Sequence, residues 1–270
     1  RPSPGHFELT LLDVGQGLAA HIRTASHDLM FDSGPSYGNG NDAGQTILVP
    51  YLRGEGAMPL DLLVVSHFDS DHSGGARSVI DAIGVRRLLG SINEGSGLMS
   101  LSKRGVERCR RGDSWTWDGV RFEILNPGVG AVIGKKGNAS SCVMRVSVTG
   151  GSVLLAADID LVAEAELISA SVLHPTTVVV APHHGSHSSS GQGFVAALMP
   201  RWVLYSVGYR NRFGHPHAEV IARYAAVGAE ELRSDRDGAV RFDVGPRVGL
   251  RWRWRDEAKR YWLSGSSDTR

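Results

Sequence analysis

The chain is short of cysteine, of long apolar runs and of net charge, and each shortage narrows what it can be. Only Cys109 and Cys142 occur in 270 residues. Two thiols permit one disulfide; they exclude a disulfide scaffold and a zinc–thiolate centre. Apolar runs are short, for example residues 62–65 and 178–181, whereas a membrane-spanning helix takes about 20 apolar residues. This segment is therefore not expected to insert into a membrane itself. Lysine and arginine total 29 against 28 aspartate and glutamate, a net charge of +1. No overall field then advertises a nucleic-acid partner, although a local basic patch is compatible with that balance. The opening Arg1-Pro2-Ser3-Pro4-Gly5 is followed by no apolar stretch and does not read as a secretory signal. Residues 1–6 read as a linker remnant, 7–263 as one domain and 264–270 as a polar tail, so the chain is expected to be a piece of a longer polypeptide.

What is present suits a globular domain. Hydrophobic residues make up 41% and charged residues 21%, enough at this length for a substantial core. Apolar and alternating runs predict strands over 7–12, 18–24, 28–31 and 60–66, and helices over 45–53 and 74–82. Residues 37–44 are loop by composition. Asp118-Gly119 is a turn pair, predicting a hairpin over 113–125, and Gly150-Gly151 joins a second between 141–148 and 152–156. Beyond these, helices are expected over 161–173, 193–199 and 217–227, and strands over 176–181, 202–207, 240–243 and 248–254. Each half opens with strands and closes with strand–helix units. Two facing sheets with helices outside, an α/β (α+β) four-layer αββα sandwich, accommodate that order. In Arg251-Trp252-Arg253-Trp254-Arg255 the alternation predicts Trp inward and Arg outward, a simpler account than base stacking.

The chemistry concentrates in Ser66-His67-Phe68-Asp69-Ser70-Asp71-His72-Ser73-Gly74-Gly75, where two imidazoles and two carboxylates fall within six residues. They follow a buried strand, where a short loop can aim alternating side chains into one cavity. Carboxylates crowded there repel and are poorly solvated without a cation. Mixed His and Asp ligands suit divalent zinc, manganese or iron. Asp158 ends a strand before a helix, where Asp also serves as an N-cap. His183-His184 follow another strand beyond Pro182, a pairing seldom used to fill a core. Asp13, Gln16 and Asp32 lie in glycine-containing turns. The aspartates serve there as plain turn residues, or orient active-site loops and the second nitrogen of a metal-bound histidine.

These motifs resemble the metallo-β-lactamase superfamily. His67-x-Asp69-x-Asp71-His72 is similar to its signature loop, with Asp69 where the usual version has histidine. The carboxylate variant resembles a subgroup that includes the C-terminal domain of the competence DNA-uptake channel family, ComEC. Leu12-Asp13-Val14-Gly15-Gln16-Gly17, Phe31-Asp32-Ser33-Gly34, Leu155-Ala156-Ala157-Asp158-Ile159, Pro182-His183-His184-Gly185-Ser186 and Phe213-Gly214-His215-Pro216 are similar to motifs of the same group. The resemblance implies one or two divalent ions, manganese or zinc foremost. His67 and Asp69 would serve the first ion, Asp71, His72 and His183 the second, with Asp158 bridging. His184 is the runner-up ligand, or a donor to substrate phosphate. His215 is similar to a histidine at the mouth of the site that positions a phosphate or protonates a leaving oxygen. The superfamily usually supplies a third histidine to the first ion. Gly137-Asn138-Ala139-Ser140-Ser141-Cys142 holds none, so the first ion is expected to be bound less tightly, with Asn138 or Ser140 as weak helpers.

The activity so implied is metal-assisted hydrolysis of a phosphodiester, with Asp71 central to the chemistry. The implied substrate is DNA, as the strand not taken up during natural transformation. Arg210, Arg212, Lys135, Lys136 and Ser186 are the candidate phosphate-binding residues. The implied partner is a membrane channel in the same polypeptide, which places this domain outside the cytoplasmic membrane. Two rivals stand beside it. One is hydrolysis of a non-nucleic, phosphocholine-type ester. The other is a degenerate DNA-binding or gating module, favoured by the missing histidine and opposed by the intact Asp71, His72, Asp158 and His183.

Overall fold

The computed structural model describes residues 1–38, 40–91, 105–128 and 138–258. Two mixed sheets face each other. The first orders its strands Val248–Arg253, Val240–Val244, Phe7–Leu11, Ala20–Arg23, Asp28–Phe31, Leu60–Val65, Val85–Gly90 and Glu107–Arg108. The second orders Glu230–Arg233, Trp202–Tyr205, Val178–Val180, Gly151–Leu155, Val143–Val148, Val120–Asn126 and Ser114–Trp117. In both, antiparallel pairs at one side give way to parallel pairs at the other.

Side-chain alternation along the strands builds the layers. Leu29, Phe31, Leu62 and Val64 meet Phe122, Met144, Val153, Leu155 and Val178 between the sheets. Their neighbours Met30, Leu63 and Val65 turn outward to Leu48, Leu52, Val79 and Ile83 of the covering helices. Leu154 and Val179 likewise meet Ala163, Leu167, Phe194 and Leu198. Each of the larger side chains, fully buried, contributes about 1.5–3 kcal/mol. The result is the αββα sandwich expected.

Some elements differ from expectation. Residues 36–42 are not all loop: Ser36–Gly38 pairs with Asn41–Asp42. The helix from Leu161 stops at Ser169, because Ser171 takes a left-handed φ of 54°. The last strand ends at Arg253, and Trp254 opens a helical turn with 56% of its surface exposed. Only Trp252 is sheltered, with the Arg241 guanidinium 5.1 Å from its ring. The inward–outward rule holds through Trp252 and Arg251 and fails at Trp254, because the strand has ended there. Arg251 is held by Glu8 and Asp243, and Arg253 by Glu230. Strands Val85–Gly90, Glu107–Arg108 and Glu230–Arg233 are additions to the expected set.

Cys109 and Cys142 form a disulfide that ties the edge of the first sheet to the second. The two cysteines are 33 residues apart, and the Cys142 amide also donates to Ser66 O at 2.9 Å. Closing a loop of that size in the unfolded chain stabilises by roughly 3–4 kcal/mol. The Cys109→Ser/Cys142→Ser variant should lose about that much in urea unfolding, and reduced wild type should match it; an unchanged midpoint would contradict the bridge.

A second buried feature is polar. Asp28 accepts from His21 Nε2 at 3.1 Å and Arg23 Nε at 3.0 Å, with Arg1 alongside. Burial works against its charge, but these donors outweigh burial and hold its carboxyl well below the usual 3.8. Burial pushes His21 down. A depressed carboxyl stabilises above its unfolded pKa and loses that contribution as pH falls through its folded one. Asp28→Asn should therefore cost about 3–5 kcal/mol near neutral pH, and the gap to wild type should close as the solution is acidified below pH 3.8.

Candidate metal centre

Parallel strands deliver the site. Asp32 follows Asp28–Phe31, His67 follows Leu60–Val65, Asp158 follows Gly151–Leu155 and His184 follows Val178–Val180. These are carboxyl ends of strands, where side chains and loop backbone converge in open mixed sheets.

Asp32 organises one half. It is fully buried. It accepts from the Ser66 amide, the Ser66 hydroxyl and His72 Nδ1, each at 2.7 Å. Ser66 Oγ also lies 3.0 Å from His67 Nδ1. Both imidazoles are thus gripped by their outer nitrogens, and each Nε2 faces the cavity. On the other half, His184 Nδ1 donates to Ser206 O at 2.8 Å, which leaves its Nε2 a lone pair.

The inward atoms crowd together. His72 Nε2 lies 3.2 Å from His184 Nε2 and 3.0 Å from Asp158 Oδ1. Asp71 Oδ2 is 3.3 Å from His184 Nε2. One atom from each of Asp71, His72, Asp158 and His184 falls within a 4.8 Å set. The other Asp158 oxygen faces a different group: His183 Nε2 at 3.8 Å and His67 Nε2 at 3.9 Å, with Asp69 Oδ2 3.6 Å from His67. Asp158 therefore stands between two clusters, one oxygen to each.

These residues fit a divalent cation. Asp158 Oδ1 and His67 Nε2 are buried without a hydrogen-bond partner, a costly state for lone pairs unless something positive meets them. Without a cation, protons carry the balance. Burial opposes charge on His72, yet Asp158 and Asp32 raise it well above 6.5. Burial likewise opposes charge on Asp158, and the surrounding histidines, His72 first, hold it well below the usual carboxylate range. Asp71 is pushed down to about 2, its burial outweighed by His184 and His72. Asp69 is lowered mainly by the neighbouring His67 ring.

The sequence favoured His183 over His184 for the tight cluster, and the structure reverses that order. His183, His184 and Gly185 all take left-handed φ values of 50°, 56° and 83°. Three such residues break strand alternation, and so send His184 inward. His183 is 27% exposed and faces the other Asp158 oxygen. Asn138 Nδ2 lies 3.4 Å from its ring and Ser188 Oγ 3.2 Å. Gly185 is required: a Cβ there would sit 2.5 Å from Pro216 Cβ.

The remaining candidates fall into place around this core. Gly17 braces the signature loop: Leu18 N donates to Asp71 O at 3.1 Å, and a Cβ on Gly17 would lie 2.4 Å from that oxygen. Gln16 Oε1 accepts from Gly208 N at 3.1 Å. Asp13 bonds its own turn at Gly15 N, 3.3 Å, and Arg255, 3.2 Å, so it bonds no histidine. Ser186 is buried and bonds Ser188. Asp160, and not Asp158, caps the helix Leu161–Ser169. His215 lies over the centre, its ring 5.9 Å from that of His183 and 6.4 Å from that of His184. Burial, then the neighbouring histidines, push it down to about 4. Arg210 and Arg212 are exposed on the loop that leads to it. Lys135 and Lys136 lie outside the described residues. Sequence reasoning missed Ser66 and the Ser206 carbonyl. Ser66 stood beside His67 in plain view, whereas a backbone acceptor leaves no signal in residue type.

Residues 12–200 match the family model described as "Metallo-beta-lactamase superfamily". The chain belongs to the metallo-beta-lactamase superfamily. Among superfamily relatives, "Competence protein ComA" of Neisseria gonorrhoeae is 36% identical over 258 residues, covering 94% of this chain and 34% of that protein. "ComE operon protein 3" of Bacillus subtilis is 28% identical over 263 residues, covering 90% of this chain and 34% of that protein. The chain thus spans about a third of the length of these curated relatives. In fold it is similar to Igni18, a metallo hydrolase from Ignicoccus hospitalis, with a TM-score of 0.57 and 21% identity over 87% of this chain and 98% of that one.

Asp32→Asn keeps the shape of Asp32 while removing its charge and one acceptor. Partners behind metal-binding histidines are typically worth 10–100-fold in metal affinity. Calorimetric titration of the metal-free variant with Mn²⁺ or Zn²⁺ should show a loss in that range with the fold retained. Wild-type affinity in the variant would contradict the orienting role.

Proposed function

We propose that this superfamily member is a metal-dependent phosphodiesterase acting on DNA, with manganese or zinc as its ion. The observation that carries the proposal is the cluster of Asp71, His72, His184 and Asp158, with buried lone pairs that lack partners. These four would hold one ion. His67, Asp69, His183 and the second Asp158 oxygen would hold another, His183 standing in for the histidine absent from residues 137–142. A bound divalent ion supplies charge neutralisation for a phosphate and lowers the pKa of water at the site. The chain's own residues do the rest. Asp32 and the Ser206 carbonyl keep the histidine lone pairs aimed inward. His215, neutral near pH 7, offers a ring N–H to a phosphate oxygen; with its pKa near 4 it is suited to positioning more than to bulk proton delivery. Asp69 is 65% exposed, so this side of the centre is open to solvent. Arg210 and Arg212, on the loop leading to His215, are there to neutralise phosphates. The complete cluster speaks against a degenerate, purely binding domain.

The name of one relative, "Competence protein ComA", supports DNA as substrate and a role in natural transformation, with the strand not taken up as the one degraded. On this proposal the chain works beside a membrane channel in the same polypeptide, outside the cytoplasmic membrane. Among the described residues no helix is long and apolar enough to cross a membrane. The Cys109–Cys142 bridge suits an oxidising compartment. The test is cleavage of fluorescent linear DNA by metal-stripped protein with Mn²⁺, Zn²⁺ or Mg²⁺ restored. Cleavage should require the ion and fall to background in Asp71→Ala. Hydrolysis of a small phosphocholine ester without DNA cleavage would sink the DNA proposal in favour of a non-nucleic substrate.

A further inference from the structure

The loop between Gly208 and His215 carries two large aromatic side chains in the open. Tyr209 is 70% exposed and Phe213 49%. In Tyr209-Arg210-Asn211-Arg212-Phe213 an arginine and then an aromatic residue stand on either side of Asn211, and Asn211 locks the loop. The Asn211 amide donates to Gly208 O at 3.1 Å. The side-chain Nδ2 donates to Gly208 O at 3.2 Å and to His215 O at 2.7 Å, while Oδ1 accepts from His215 N at 3.0 Å. Gly208 is in turn fastened to Gln16. These bonds make the loop a stiff support, and the aromatics are presented on it.

Each aromatic is backed by a cation. The Arg210 guanidinium lies 5.2 Å from the Tyr209 ring and that of Arg212 4.8 Å from Phe213. Among the described residues neither arginine has an acidic partner, unlike Arg233, Arg251 and Arg253 elsewhere on the surface. The rings also point somewhere. Phe213 stacks on His215 at 5.6 Å and 24°, and His215 lies near-parallel to His184 at 6.4 Å and 19°. A file of rings therefore runs from solvent to the metal centre.

We propose that Tyr209 and Phe213 are a base-stacking platform for an unpaired nucleic-acid strand, with Arg210 and Arg212 meeting its phosphates. The inference rests on the phosphodiesterase reading and names the form of its substrate. Exposed aromatic faces beside unpaired cations match a polymer of flat bases and anionic links. A duplex hides its base faces in its own stack, so the platform selects strands with free bases. The phosphate next to the base on Phe213 is the one delivered toward His215 and the metal centre.

Fluorescence anisotropy on the chelator-treated chain tests this apart from cleavage. The probes are a labelled oligothymidylate, a strand of equal length lacking bases, and a duplex. Wild type should bind the base-bearing strand about tenfold more tightly than the abasic strand or the duplex. Tyr209→Ala and Phe213→Ala should each lose about tenfold on the base-bearing strand and little on the abasic one, whereas Tyr209→Phe and Phe213→Tyr retain binding. Arg210→Gln and Arg212→Gln should weaken both strands and flatten the salt dependence. Folded alanine variants that bind both strands like wild type, or lose equally on both, would overturn the platform. Base-dependent binding without cleavage under any ion would support the platform while the nuclease proposal fails. Metal-dependent cleavage with base-independent binding would do the reverse.

Discussion

The grip of Asp32 on two neighbouring loops is the constraint on which this site depends. Its carboxylate has no exposed surface and takes three donors, two from Ser66 and one from His72. A buried carboxylate with fewer partners costs several kcal/mol, so the loops cannot drift without penalty. Through Ser66 the grip extends to His67. One group thereby fixes the ring orientation of a histidine in each cluster beside Asp158. Asp32 itself holds a left-handed φ of 59°, a conformation Asp tolerates better than most residues.

The rest of the architecture serves to bring these loops to one edge. Antiparallel hairpins supply breadth and core; the parallel strands supply the carboxyl ends from which functional loops emerge. The site is assembled from both sheets. Asp32, His67, Asp71 and His72 come from the first, and Asp158, His183 and His184 from the second. Their association is held by the shared apolar core, by the Cys109–Cys142 bridge and by Ser206, whose hydroxyl donates to Gly17 O across the seam.

Much of this was legible in residue order. The strand Asp28–Phe31 and the turn at Asp118-Gly119 stand where local pattern puts them, because turn chemistry and alternation are local properties; the second turn falls one residue early, at Thr149-Gly150, because Gly151 already pairs with Val148. Val85–Gly90 escaped notice, since Val-Arg-Arg-Leu-Leu-Gly has neither alternation nor a continuous apolar run. Trp254 misled because the strand stops at Arg253 and its alternation stops with it, although Val248 and Leu250 pack on the core. Within the site, the motif from His67 to His72 announced itself by crowding. The inversion of His183 and His184 was hidden, because it follows from three left-handed residues in succession. The cysteine pairing was hidden too, because it depends on how two sheets meet.

On this reading Asp71, His72, His184 and Asp158 form a cation site, with Asp158 dividing it from a second. Anomalous scattering from crystals soaked with Mn²⁺ measures this directly. A strong peak should be enclosed by those four side chains, and any second peak should lie on the His67, Asp69 and His183 side of Asp158. A peak held by His183 in place of His184, or none among the four residues at saturating metal, would contradict it.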